Sequence, residues 1–185
     1  MLVLLSGVSG AGKDTIKKEL IQRMNNVESL PSYTDRAPRN NDIPGETYIF
    51  VDSKEFKRMI ENGELYEYSV HHDHYYGTSK KLLNDKINAG KIIVKDIEVN
   101  GVENLLKILG NEIDIITIFL KVPKEELKRR LNEREDKLPP EEIEKRLSRL
   151  EYEESKIGMY DYVIKNDNLE RTLKIIMDII NLEEK

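Results

Sequence analysis

The sequence has no cysteine among its 185 residues. Disulfides and thiolate-bound zinc are therefore excluded, and a reducing compartment fits. It has no apolar run approaching the ~18–20 residues that a membrane-spanning helix needs. The N-terminal run Met1-Leu2-Val3-Leu4-Leu5 is short, follows no basic stretch and passes straight into a glycine loop. It reads as a buried strand, not a signal peptide. Positive charge is also short: 30 Lys and Arg against 35 Asp and Glu leave a net charge of −5, which argues against a general nucleic-acid or membrane-surface binder. The expectation is a cytoplasmic chain with no nucleic-acid and no membrane partner, and the sequence leaves its oligomeric state open. Repeats and low-complexity linkers are absent as well.

What is present is a one-domain composition, 38% hydrophobic and 35% charged. Leu2 to Ser6 is a continuous apolar run, the pattern of a strand covered on both faces. A helix follows with Ile16, Leu20, Ile21 and Met24 on one face. Residues 27–51, with Pro31, Pro38 and Pro44, read as turn-rich, ending in a short strand at Thr47–Val51. Next come a helix through Phe56, Met59 and Ile60, a strand Leu65–His71, and a turn at Tyr75–Thr78 leading into a helix with Leu82, Leu83 and Ile87. Strands at Ile92–Val94, Ile113–Leu120 and Tyr162–Ile164 alternate with helices at 101–109, 123–134, 140–156 and 169–182. Such alternation predicts an α/β fold with parallel crossover units, in which 32–88 is an antiparallel excursion.

Gly7-Val8-Ser9-Gly10-Ala11-Gly12-Lys13 follows the first strand and opens a helix. This is the context of a phosphate-binding P-loop. Glycines let backbone N–H groups turn inward, the helix N-terminus favours an anion, and Lys13 reaches the β- and γ-phosphates of a nucleotide. The bland alternative is a glycine-rich turn. After Lys13 the motif asks for a Ser or Thr hydroxyl on Mg²⁺, but Asp14 stands there and Thr15 comes next. Either of them meets the metal, or Asp14 is only a first-turn acid favoured by the helix dipole.

Ser32-Tyr33-Thr34-Asp35-Arg36-Ala37-Pro38-Arg39 sets two guanidinium groups around a proline, a pattern that suits a dianionic phosphate and equally a solvated surface. Together with GVSGAGK, GETYIFVDSKEF, NGELYEY, YYGTS, KDIEVNG, the Arg130, Arg134 and Arg146 series and YDYVIKND, it resembles the guanylate kinases over roughly residues 2–170. The resemblance implies a P-loop kinase fold: a parallel central sheet flanked by helices (core 1–31, 89–122 and 157–185), an inserted nucleoside-monophosphate-binding subdomain (32–88) and a helical lid (123–156). It implies transfer of the γ-phosphoryl group of ATP to GMP with Mg²⁺.

By the same resemblance, Arg36, Arg39, Tyr48 and Tyr76 surround the phosphate of GMP. Glu67 reads the N–H edge of guanine, and Ser32 and Thr78 supply hydroxyls, with Gly77 beside them. Asp96 lies near the Mg²⁺ and the acceptor, and Glu98 stands where the family has a second Asp. The nucleotide donor is held by Gly7 to Thr15, Arg130 and Asn166; the metal by Thr15, Asp14 and Asp96. Lys13, Arg39, Arg134 and Arg146 are the catalytic group. Asn166-Asp167-Asn168 reads equally well as a turn and helix cap. The segment between Arg134 and Arg146 is one residue longer than usual in the family. His71, His72, Asp73 and His74 read as a hairpin tip, not a metal cluster.

Two other readings keep the fold. Ribose 1,5-bisphosphate phosphokinases resemble guanylate kinases and carry Gly-Lys-Asp, as Gly12-Lys13-Asp14 does here, but are not expected to keep Ser32, Glu67 and Thr78 together. Guanylate-kinase-like scaffold modules bind partners without catalysis and typically lose the P-loop that this chain retains.

Overall fold

A computed structural model describes residues 1–38, 42–71, 73–133 and 139–184. In chain order the elements are β1 (Leu2–Ser6), α1 (Lys13–Arg23), β2 (Val27–Ser29), β3 (Ser32–Thr34), β4 (Tyr48–Phe50), α2 (Ser53–Glu61), β5 (Leu65–His71) and β6 (His74–Ser79). They continue with α3 (Lys80–Asn88), β7 (Ile92–Asp96), α4 (Val99–Leu109), β8 (Ile115–Lys121), α5 (Lys124–Asn132), α6 (Pro140–Leu147), α7 (Leu150–Ser155), β9 (Tyr162–Lys165) and α8 (Leu169–Glu183). The five-stranded sheet has the order β2-β7-β1-β8-β9, and the β2–β7 and β8–β9 pairs are parallel. This is the expected α/β architecture, a parallel central sheet flanked by helices. Every side chain of β1 is buried, as its unbroken apolar run requires.

The chain divides into two compact units. One comprises Met1–Val3, Asn26–Lys95 and Asn100–Ile115. It contains a second sheet, of order β4-β3-β6-β5. The sequence pattern predicts an antiparallel excursion here, but the sheet is mixed: β3 pairs with β4 in parallel and with β6 antiparallel. Its core is Phe56, Met59 and Leu65, with Tyr33, Val51, Ile60 and Tyr75 packed around them. Phe56 and Tyr75 stack at a centroid distance of 5.1 Å. Asp52 caps α2 by accepting a hydrogen bond from Glu55 N at 2.7 Å.

Three expectations need correcting in detail. The turn-rich stretch 27–51 holds two further short strands, β2 and β3, on either side of buried Pro31. Tyr75–Thr78 is strand, not turn. A Cβ on Gly77 would come within 2.9 Å of Leu65 Cδ1 and 3.0 Å of Phe56 Cζ, so this glycine makes room for the core instead of marking a bend. The helix expected over 140–156 is two, α6 and α7. Ser148 Oγ donates back to Lys145 O at 2.8 Å between them, a local bond that competes with a continuous helix.

The other unit comprises Leu4–Asn25, Asp96–Val99 and Ile116–Lys185. Here α1 packs with α8, joined at the surface by Arg23, whose Nη1 and Nη2 each donate to Glu170 at 2.7 Å. Asn168 caps α8, accepting from Arg171 N at 2.9 Å.

Candidate active site

Residues singled out in the sequence fall into two groups, one within each unit. The first is built on the glycine loop. β1 ends at Ser6, and the chain turns through Val8 O accepting from Ala11 N at 2.9 Å. Gly10 and Gly12 adopt φ of 87° and 92°, conformations that a side chain would strain. Gly7 has no room for one: a Cβ there would sit 2.6 Å from Leu120 O. Gly12 caps α1 in the left-handed region with no side-chain hydrogen bond to the first turn. The first-turn N–H groups of α1 thus have no side-chain cap competing with an anion.

Side chains from three other elements fasten this loop. Lys13 Nζ folds over it, donating to Gly7 O at 2.5 Å and Val8 O at 3.3 Å. Arg146 on α6 is buried, donating to Ser9 Oγ at 3.0 Å and to Glu142 Oε1 at 2.9 Å. Asn166 follows β9 and donates through Nδ2 to Ala11 O at 2.7 Å. Arg130 on α5 donates to Asn166 O at 2.9 Å and to Glu126 Oε1 at 2.8 Å. Ser9, Lys13, Arg130, Arg146 and Asn166 therefore come together. Of the two readings of residues 166–168, the helix cap is seen at Asn168, which caps α8, while Asn166 is held against the loop through Ala11 O.

Asp14 and Thr15 lie exposed on the first turn of α1. Lys17, one turn on, is buried and ion-paired with Asp96, and Asp14 Oδ1 stands 4.0 Å from its Nζ. Burial pulls the Lys17 ammonium down, but the charge and hydrogen bond of Asp96 outweigh it and hold the group above its ordinary value. Glu98 accepts from Arg149 Nη2 at 2.8 Å, and Arg149 Nε stands 3.5 Å from buried Glu153. Burial pushes the Glu153 carboxyl up, against the opposing pull of Lys13 and Arg149.

The donor set offered to a magnesium ion is hard oxygen: the Thr15 hydroxyl and the Asp14 and Asp96 carboxylates, all within this unit. That chemistry fits an ion bound by one or two protein oxygens together with substrate phosphates and water. Among the described residues, no group of three or more His, Asp and Glu side chains could hold a metal by itself. Of the histidine-rich tip, His74 lies 3.4 Å from Asp35, and His72 lies outside the described residues.

The second group lies on the four-stranded sheet. Glu67 on β5 is paired with Thr78 on β6, and the Thr78 hydroxyl donates to its carboxylate. Both are buried. Tyr33 faces Gly77 and Thr34 faces Tyr76 in the β3–β6 ladder, so the same register brings Ser32 level with Thr78. Ser32, Thr78 and Glu67 accordingly form one row across β3, β6 and β5. Ser32 Oγ accepts from Lys95 Nζ at 2.6 Å.

Beside that row, Arg36 is buried, donating to Asp42 Oδ2 at 2.9 Å and to Ala37 O at 2.8 Å. Its guanidinium lies 5.1 Å from the Tyr48 ring centroid and 5.7 Å from that of Phe50. Tyr48 and Tyr76 meet edge to face at 5.8 Å. Arg36, Tyr48 and Tyr76 are thus brought together. Arg39 and Arg134 lie outside the described residues.

Sequence reasoning missed Lys17, Lys95, Arg149 and Glu153. For the two lysines a signal exists. Lys17 falls three before Leu20 and seven before Met24, on the buried stripe of α1, and Lys95 extends the apolar run Ile92-Ile93-Val94. A charge on a buried face needs a partner. Arg149 and Glu153 are lost among the many charges of their segment.

The guanylate kinase family model matches residues 1–183. The guanylate kinase of Helicobacter pylori (strain ATCC 700392 / 26695) is 39% identical over 179 residues, covering 96% of this chain and 85% of that protein. That of Caldanaerobacter subterraneus subsp. tengcongensis is 36% identical over 185 residues, covering 100% of this chain and 88% of that protein. In three dimensions, the crystal structure of guanylate kinase from Anaplasma phagocytophilum superposes with a TM-score of 0.80 at 29% identity, covering 100% of this chain and 86% of that one. With sequence and fold agreeing along essentially its whole length, this chain belongs to the guanylate kinase family.

Proposed function

We infer that this chain transfers the γ-phosphoryl group of ATP to GMP, giving ADP and GDP. The observation that carries the reading is the row Ser32–Thr78–Glu67, half-buried at Ser32 and buried at Thr78 and Glu67, which presents a carboxylate and hydroxyls at one place. Guanine has N1–H and N2–H₂ donors beside an O6 acceptor. A carboxylate that can accept from the two N–H groups, with a hydroxyl facing the oxygen, complements that edge and leaves adenine unpaired. Unpaired polar groups in a buried site reject the wrong base strongly. The family match favours this reading over the ribose bisphosphate and non-catalytic ones.

The family resemblance supports the following roles. Arg36 and Arg39, with Tyr48 and Tyr76, hold the GMP phosphate, which attacks as an anion and needs no general base. The family resemblance assigns Glu98 and Asp96 to the acceptor as well. Gly7 to Gly12 bind the ATP phosphates through backbone N–H groups. Lys13, Arg134 and Arg146 neutralise charge that develops on the transferring group, the main work in phosphoryl transfer. Arg130 and Asn166 hold the donor nucleotide. Mg²⁺, held by Thr15 or Asp14 and by Asp96, would supply further charge neutralisation on the ATP phosphates. No helix among the described residues is long and apolar enough to cross a membrane, and we place the activity in the cytoplasm.

A coupled assay across GMP, dGMP, AMP, UMP and ribose 1,5-bisphosphate tests the reading. GMP should exceed AMP in kcat/KM by about 10³ or more. Comparable turnover of AMP, or turnover of ribose 1,5-bisphosphate alone, would overturn it.

A further inference from the structure

Lys95 lies one residue before the end of β7 and is fully buried, yet its Nζ is 2.6 Å from Ser32 Oγ. A lysine ammonium carries three donors and no acceptor, while a serine hydroxyl has one proton and two lone pairs. Ser32 therefore must accept from Lys95. Its own proton is then turned away from Lys95, and the hydroxyl can approach a ligand as a donor. Across the row the opposite holds. The Thr78 hydroxyl spends its proton on Glu67, leaving its lone pairs and the carboxylate as acceptors. One end of the row is set to donate and the other to accept.

We propose that Lys95 is a positioning residue for base selection, fixing Ser32 as a hydrogen-bond donor to the six-position oxygen of the acceptor purine. The proposal rests on the GMP reading of the same site and assigns to Lys95 a share of its selectivity. Without Lys95 the Ser32 hydroxyl can rotate and accept from the six-amino group of adenine. The penalty against AMP then falls. GMP and IMP share the six-position oxygen and differ only at the two-amino group, which the Glu67 end of the row would meet. A loss confined to Ser32 weakens GMP and IMP alike.

The test is Lys95→Met, with kcat/KM and dissociation constants measured for GMP, IMP and AMP. The KM for GMP should rise about tenfold, the cost of a misdirected hydrogen bond, with the KM for ATP within about twofold. The GMP:AMP ratio should fall about tenfold while GMP:IMP stays within about threefold. Lys95→Gln, which keeps a neutral donor, should recover most of the GMP:AMP ratio. In a Ser32→Ala background Lys95→Met should change the ratio no further. A damaged fold would instead weaken all three nucleotides and lower the melting temperature. An unchanged GMP:AMP ratio in folded Lys95→Met, or a full additional loss in the Ser32→Ala background, would overturn the proposal.

Should the variants not fold, the wild-type protein decides. Binding of 6-thioguanosine monophosphate, which keeps N1–H and the two-amino group but replaces the six-position oxygen by a weak sulfur acceptor, should be about tenfold weaker than that of GMP, and equal binding would refute the donor role of Ser32. Wild-type protein that fails to prefer GMP over AMP defeats the GMP reading itself. A wild-type preference for GMP that survives Lys95→Met defeats only this inference.

Discussion

Lys17 and Asp96 form a buried ion pair that ties the inner face of α1 to the last residue of β7. Their side chains are 8% and 18% exposed, so each charge has lost most of its water. Breaking such a pair from one side leaves an uncompensated buried charge, which costs about 3–5 kcal/mol. Lys17→Met should therefore lower the urea-derived unfolding free energy by about 3 kcal/mol at pH 7. Adding Asp96→Asn should restore part of that loss. The Lys17 value is raised in the folded state, so the pair stabilises fully below the ordinary lysine value of 10.5 and fades as pH rises through the folded value. The gap between wild type and Lys17→Met should accordingly be constant from pH 6 to 9. A variant as stable as wild type would show that the pair contributes nothing net.

Lys13 and Arg146 meet the glycine loop from opposite ends of their unit's sequence, one on Gly7 O and the other on Ser9 Oγ. The Lys13 contact is only partly buried, but the Arg146 side chain is 9% exposed and ion-paired with Glu142, so its removal also costs stability. Lys13→Ala should cut kcat/KM by about 10²–10³ or more with a melting temperature close to wild type, and Arg146→Ala should cut it by about 10³ and lower the melting temperature as well. Ser9→Ala, which removes the Arg146 contact but not the charge, should cost less than about tenfold. Retained activity in folded Lys13→Ala would contradict the phosphate-binding role of the loop.

Glu67 provides the acceptor end of the row, and its neighbour Thr78 already donates to it. Glu67→Gln replaces one oxygen by a donor that faces the N–H groups of guanine. The expected result is a loss of about 10–100-fold in kcat/KM for GMP, and a reduced preference for GMP over IMP, which lacks the two-amino group. The KM for ATP should not move. Equal selectivity in wild type and variant would remove Glu67 from base recognition.

The parts of the fold legible in the sequence are those where one rule dominates. β1 and β5 have the expected limits because an unbroken apolar run and an alternating run each specify strand directly. Gly77 misled because the same residue type marks a turn or a tight packing contact, and only the positions of Phe56 and Leu65 distinguish the two. The three-residue strands β2 and β3 carry too little pattern to stand out beside Pro31. Among site residues, the loop was legible because its glycines are dictated by backbone geometry. The Lys95–Ser32 bond spans 63 residues and the Arg146–Ser9 bond 137, and no local pattern announces a partner at that distance.

Glu153 gives a pH signature of the opposite sign to most carboxylates. It is 6% exposed, 3.5 Å from Arg149, and its pKa is raised mainly because burial penalises its charge. A carboxyl whose folded value exceeds its unfolded value of 4.5 binds protons more tightly when folded. Its stabilising effect is therefore fully present below pH 4.5 and is lost as pH rises through the raised folded value. At pH 7 the protein carries the cost of burying this carboxyl, offset in part by Lys13 and Arg149. Glu153→Gln keeps the shape and removes the charge. The variant should melt higher than wild type at pH 7 and level with it at pH 4, where both side chains are neutral. Thermal unfolding followed by circular dichroism across that range checks this. A variant less stable than wild type at pH 7 would mean that the Arg149 and Lys13 attractions outweigh burial, and that Glu153 is held as a carboxylate.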